Sequence, residues 1–184
     1  MSQSWRDEFT DANSYLLKPG RYPQTFGQIA AHWAFNQHRG ELLNELQKFL
    51  TAIRRIVPVC AVWLSGSYLT SKANPNDIDV LLVVRAEDLE ALDPGVRPLF
   101  TDTGLHAVAT KLNVRVDAYL LGWRQLISPD PGHNPDHSFY YVMRGYWDDW
   151  WMRLRNQAGA GQPIDLEALP RRGYVEVILD GYRP

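Results

Sequence analysis

The run Val62-Trp63-Leu64-Ser65-Gly66-Ser67 is followed, nine residues later, by Asp77-Ile78-Asp79-Val80-Leu81-Leu82-Val83-Val84. The apolar stretch 59–64 reads as a short strand buried on both faces, and Ser65-Gly66-Ser67 breaks it. Residues 71–76 are polar and contain Asn74-Pro75, a strong turn signal. The second run alternates at first and then becomes continuously apolar, so it reads as a second strand. Residues i and i+2 of a strand point to one face. Asp77 and Asp79 therefore project two carboxylates side by side at the start of that strand.

Two unpaired carboxylates in this position repel one another and resist burial. A divalent cation removes the conflict, and Mg²⁺ suits hard oxygen ligands completed by water and phosphate oxygens. Residues 113–121 read as a third strand, with Val114, Val116, Ala118 and Leu120 alternating with Arg115, Asp117 and Tyr119. Asp117 is the candidate third carboxylate, which would allow a second Mg²⁺. Two such ions suit in-line displacement at phosphorus. Gly66 and Ser67 supply a turn whose backbone N–H groups and hydroxyl can hold phosphate. Lys72, in the intervening loop, is a candidate point charge for the same phosphate. Arg85, Lys111 and Arg115 are lesser candidates.

Outward from this centre, residues 1–23 read as an extended lead-in and 24–57 as a helical part. Phe26, Ile29, Ala30, Trp33 and Ala34 fit helical spacing, as do Leu42, Leu43, Leu46, Phe49, Leu50, Ile53 and Ile56. Gly40 either separates two helices or interrupts one, and Pro58 ends the pattern. Residues 58–121 form the core of the domain, with helices expected at 87–93 and 98–111. A Pro/Gly/His-rich loop at 128–137 precedes an aromatic helix at about 138–156, stopped by glycines at 158–161. Phe139, Val142, Met143, Tyr146, Trp150 and Arg153 are the stripe expected to pack on the sheet. The other possibility for this helix is a stacking wall for a base or acceptor, with Arg144, Arg153 and Arg155 beside it. Residues 173–179 suggest a last strand or helix. The whole is expected to be one α/β (α+β) domain, a small mixed sheet flanked by helices, with 138–184 as a C-terminal cap.

Gly66-Ser67, nine residues, Asp77-x-Asp79 and the later Asp117 resemble the signature of the DNA polymerase beta-like nucleotidyltransferase superfamily. The resemblance implies a nucleotidyltransferase-like fold, two Mg²⁺ held by Asp77, Asp79 and Asp117, and an NTP bound partly through Gly66 and Ser67. It implies transfer of a nucleoside monophosphate to an acceptor hydroxyl with release of pyrophosphate. Leu17-Lys18-Pro19-Gly20, Trp63-Leu64-Ser65-Gly66-Ser67, Pro75-Asn76-Asp77-Ile78-Asp79 and Gly173-Tyr174-Val175-Glu176-Val177 further resemble uncharacterised bacterial and phage minimal nucleotidyltransferase-like proteins. Antitoxin-type members carry a basic pair soon after Gly-Ser, where this chain has Tyr68-Leu69-Thr70-Ser71-Lys72. Two other functions stay open: a silent binding or regulatory module, antitoxin- or defence-associated, and a tRNA-end-modifying toxin or defence component. The acceptor, whether RNA, protein or small molecule, has no readable code, nor does the oligomeric state.

Composition bounds these expectations. The 184 residues are 45% hydrophobic and 22% charged, with a net charge of −2. Such a chain is neither a disordered tail nor a globally basic nucleic-acid binder. The single Cys60 excludes a disulfide framework and a multi-cysteine zinc site and reads as a buried thiol. His133 and His137 lack a third ligand, and His32 and His38 read as helix-surface or boundary residues. Residues 1–11 have no signal-peptide pattern, and no apolar run is long enough to span a bilayer. A cytoplasmic protein without membrane partners is expected.

Overall fold

The computed structural model describes residues 16–154 and 164–182. Arg155 and the glycines at 158–161 lie outside the described residues, but the aromatic helix expected to reach about Asn156 already stops at Met152, where Arg153 is extended. Five strands, β1 (Gly20–Pro23), β2 (Ala61–Ser65), β3 (Ile78–Arg85), β4 (Val116–Trp123) and β5 (Gly173–Ile178), form one mixed sheet in the order β1-β5-β2-β3-β4. Strand β2 is antiparallel to both neighbours, whereas β1 with β5 and β3 with β4 are parallel. The helices are α1 (Phe26–Trp33), α2 (Gln37–Arg54), α3 (Ala86–Glu90), α4 (Asp102–Leu112) and α5 (Pro135–Met152). The architecture is α+β, a small mixed sheet flanked by helices. No helix among the described residues is long and apolar enough to cross a membrane.

The N-terminal helical part is two helices, and Gly40 is not what divides them. Thr25 caps α1 by accepting from Gln28 N at 3.2 Å, while the Gln28 side chain accepts from Thr25 N at 2.8 Å. Asn36 caps α2 by accepting from Arg39 N at 2.9 Å, and Gly40 lies inside α2. Each cap satisfies N–H groups that the helix itself leaves without partners, so the chain restarts at Asn36. Helix α2 stops at Arg54, four residues before Pro58. Residues 20–23, expected within the lead-in, form the edge strand β1, and Leu17 just before it is fully buried.

Strand alternation sorts the core into two. Val62 and Leu64 of β2, with Ile78, Val80, Leu82 and Val84 of β3, pack against α1, α2 and α4. Ala61 and Trp63, with Leu81 and Val83, face the opposite side, where α5 lies. Covering both faces explains why the central strands read as continuous apolar runs. Cys60 is buried in the second cluster.

Helix α5 packs by only part of the expected stripe, with Met143 and Trp150 against the sheet-side cluster. Its buried residues are Tyr140, Trp147 and Trp151, whereas Phe139, Val142 and Tyr146 are exposed. Trp147 and Trp151 meet Tyr119 of β4 with ring centroids 5.0 and 5.6 Å apart. The helix carries aromatic residues on most of its faces, so spacing alone picked out the packed face only in part. His32 is also buried and not a surface residue.

Candidate functional site

Gly66 leaves β2 with φ +68°, and a Cβ there would lie 1.5 Å from Oδ2 of Asp79. Only glycine permits this approach without displacing the carboxylate. The two halves of the sequence pattern thus meet at van der Waals range. Pairing fixes the rest: Ser65 is the register partner of Asp79 on β3, and Asp79 is the register partner of Asp117 on β4. All three positions fall on the α5 side of the sheet. Asp77 sits just before β3, and its carboxyl feels the charge of Asp117.

This assembly is electrostatically expensive. Burial, then the charges of Asp77 and Asp117, push the Asp79 carboxyl up to about 6. Burial and Asp117 also raise Asp77, with Lys72 acting in the opposite sense. Tyr119 donates its hydroxyl to Asp117 Oδ2 at 3.0 Å and is itself raised by burial and by that carboxylate. The electrostatics match the crowding expected of like charges sharing one site.

A cavity of about 530 Å³ opens over the acidic end. Gly66, Ser67, Lys72, Asp77 and Asp79 all line it, while Trp150, Leu154 and Ile164 form its apolar side. The structure therefore gathers five of the six candidate residues into one cavity and sets Asp117 in register beside Asp79. Among the described residues, no group of three or more His, Cys, Asp or Glu side chains is arranged to hold a metal ion.

The loop between the pattern's halves is pinned from α2. Fully buried Arg39 donates Nη1 to Lys72 O at 2.6 Å and Nη2 to Tyr68 O. Asn36 Nδ2 donates to Ala73 O at 2.9 Å, and His38 Nε2 lies 2.7 Å from Pro75 O. Phe35 and Tyr68 hold the Arg39 guanidinium at 4.4 and 4.6 Å from their ring centroids. Four carbonyls of one loop are thereby tied to one helix end, which fixes the path carrying Lys72 to Asp77.

A model described as a family of unknown function, DUF6932, matches residues 8–178. The chain belongs to DUF6932. No match was found among curated proteins or among solved structures.

In this DUF6932 chain two of the other candidate cations, Arg115 and Arg85, are held by carboxylates away from the cavity. Arg115 is held by Glu45, with Nη2 to Oε1 at 2.5 Å, and Arg85 lies 3.8 Å from Glu87. His133 pairs with Asp130 at 2.9 Å, and His137 Nδ1 accepts from Asp130 N at 3.2 Å. Arg153 lines the cavity, while it also pairs with Asp149 at 2.5 Å and lies over Trp150. Sequence reasoning missed Arg172. It lines the cavity, donates Nη2 to Gly66 O at 2.9 Å, and is the cation that opposes the rise of Asp79. The only signal available was an Arg-Arg pair directly before the final apolar strand.

Proposed function

We propose that the chain is a Mg²⁺-dependent nucleotidyltransferase that moves a nucleoside monophosphate from an NTP to an acceptor hydroxyl and releases pyrophosphate. One observation carries this: the Gly66-Ser67 turn, Asp77 and Asp79 line a single cavity, with Gly66 yielding its Cβ space to Asp79. The donor set fits Mg²⁺, which is usually bound through one or two carboxylates with waters and substrate phosphates completing the shell. Asp77 and Asp79 would hold the metal, with Asp117 beside Asp79 in register and not grouped with them as a third ligand. Bound there, Mg²⁺ would neutralise phosphate charge and favour the ionised acceptor oxygen.

The chain's own groups do the rest. Turn N–H groups and the Ser67 hydroxyl donate to the β- and γ-phosphates, and Lys72 adds a mobile positive charge. Asp117, steadied by the Tyr119 hydroxyl, orients the acceptor hydroxyl. The acceptor oxygen bonds to the α-phosphorus, the bond to the pyrophosphate oxygen breaks, and the hydroxyl proton leaves to water. The buried lone thiol of Cys60 supports a cytoplasmic setting.

The test follows label from each α-phosphate-labelled NTP into a cell extract with Mg²⁺. Wild-type protein is expected to label one fraction, and the Asp77→Ala/Asp79→Ala protein none. Equal labelling by both proteins contradicts the assignment. A second reading, a nucleotide-binding module without turnover, draws on Arg172, which offsets part of the Asp79 charge without a metal. Mg²⁺-dependent NTP binding without pyrophosphate release for any acceptor favours that reading.

A further inference from the structure

Arg172 spends little of its hydrogen-bonding capacity on the protein. A guanidinium carries five N–H donors in a rigid fork. Nη2 donates to Gly66 O at 2.9 Å, and Nε reaches Gly173 O only at 3.5 Å. Nη1 has no hydrogen-bond partner among the described residues, and the side chain makes no ion pair there. Yet the residue is only 4% exposed and lines the cavity. Burial depresses its pKa to about 10, with Asp79 as the opposing influence. Asp79 acts on this guanidinium without forming an ion pair with it, so part of the cost of stripping its water stays unmet until an anion bonds to it directly.

The available anion is defined by the neighbours. Gly66 and Ser67 form the turn at one end of the cavity, and Arg172 is bonded to the first of them. Asp79 excludes a bare carboxylate or sulfate from the acidic end, because neither brings a cation with it. A polyphosphate chelated to Mg²⁺ meets both conditions, offering positive charge to the aspartates and oxygens to the arginine.

We propose that Arg172 contacts the ligand directly. In the nucleotide complex Nη1 donates to a non-bridging oxygen of the β- or γ-phosphate on the Gly66-Ser67 turn, while Nη2 keeps its bond to Gly66 O. The proposal rests on the nucleotidyltransferase reading of the same cavity and divides its cations into two kinds. Lys72 is a flexible point charge on the loop. Arg172 is a fixed planar fork, oriented before the ligand enters, and it meets the charge that builds on pyrophosphate as the bond to the α-phosphorus breaks.

The test titrates wild-type, Arg172→Lys and Arg172→Ala proteins with Mg²⁺-pyrophosphate, with Mg²⁺-ATP and with adenosine, alongside thermal melting. The expected result is tight Mg²⁺-pyrophosphate binding by wild type and a loss of about 10–100-fold in Arg172→Lys. The loss is greater in Arg172→Ala and is partly restored by millimolar guanidinium ion, and adenosine binding is unchanged in both variants. Should Arg172→Ala fail to fold, Arg172→Lys carries the comparison. Unchanged pyrophosphate affinity in folded Arg172→Lys overturns the proposal while wild-type binding keeps the nucleotidyltransferase reading standing. Weakened binding that guanidinium does not restore, with a lowered melting temperature, assigns Arg172 a structural role and overturns it too. Wild-type protein that binds neither pyrophosphate nor ATP with Mg²⁺ overturns both.

Discussion

The two faces of the sheet come from the same strands and differ by one residue of phase. On the α2 side, Leu64, Val80 and Leu82 are fully buried among Leu42, Leu46 and Phe49, with no charge among them. On the α5 side, Trp63, Leu81 and Val83 give way at one end to Ser65, Asp79 and Asp117. The first face gains its stability chiefly from apolar burial. The second gives up some of that gain to hold like charges together, and aromatic packing by α5 surrounds the cost. A one-residue slip of β3 would exchange the two, which is why its register must be strongly specified.

The comparison breaks most visibly at the acidic end. Asp77→Ala/Asp79→Ala is expected to lower Mg²⁺-dependent NTP turnover by a thousandfold or more, on the order of the loss when a group acting only in the transition state is removed. Its melting temperature should not fall, because the removed carboxylates repel one another. On the opposite face Leu82→Ala should do the reverse. It should cost about 2–5 kcal/mol in urea unfolding while the folded fraction keeps its NTP affinity.

Gly66→Ala couples the two kinds of effect. Its Cβ meets Asp79 Oδ2 at 1.5 Å, and φ +68° disfavours any side chain. It should lose about 1–3 kcal/mol of stability, read by urea unfolding, and should also lose Mg²⁺-NTP binding, read by calorimetry. Loss of stability without loss of binding would separate the turn from the site.

Asp79→Asn sharpens the electrostatic half. The folded carboxyl titrates at about 6 against an ordinary 3.8. The folded protein therefore holds more protons than the unfolded one between those values, and Asp79 lowers stability as pH rises through that window. Above pH 6 the metal-free Asp79→Asn protein should be more stable than wild type by on the order of 2 kcal/mol. Near pH 3.5 the difference should vanish. Urea midpoints across pH 3.5–8 give the check, and a variant less stable at every pH contradicts the charge account.

The smallest effect belongs to Tyr119→Phe, which removes one hydroxyl donor to Asp117. About a 2–10-fold loss in label transfer is expected, with NTP affinity unchanged. A matched loss of affinity would move Asp117 from the acceptor to the nucleotide.

Much of the fold and of the acidic cluster is legible in the sequence. The central strands announce themselves because both faces are covered, so 59–64 and 77–84 are nearly all apolar. Asp77 and Asp79 stand out against that background, and strand periodicity puts them on one face. Asp117 follows from the alternation around it. Strand β1 was not legible, because Gly20-Arg21-Tyr22-Pro23 is a short edge strand with only one face to bury. The packing face of α5 was only partly legible because Tyr146, Trp147, Trp150 and Trp151 occupy several sides of the helix. Arg172 and Arg39 were invisible for a different reason. Each works on a carbonyl far away in sequence, Gly66 for Arg172 and Tyr68 for Arg39, and such bonds leave no local pattern.

The central claim is that the Gly66-Ser67 turn and the aspartates form one Mg²⁺-NTP site. Calorimetric titration of wild-type and Asp77→Ala/Asp79→Ala proteins with each NTP, with and without Mg²⁺, tests it most directly. The account predicts saturable binding of at least one NTP by wild type only when Mg²⁺ is present, abolished in the double variant. Binding indifferent to Mg²⁺ and to both aspartates, or no binding of any NTP, would contradict it.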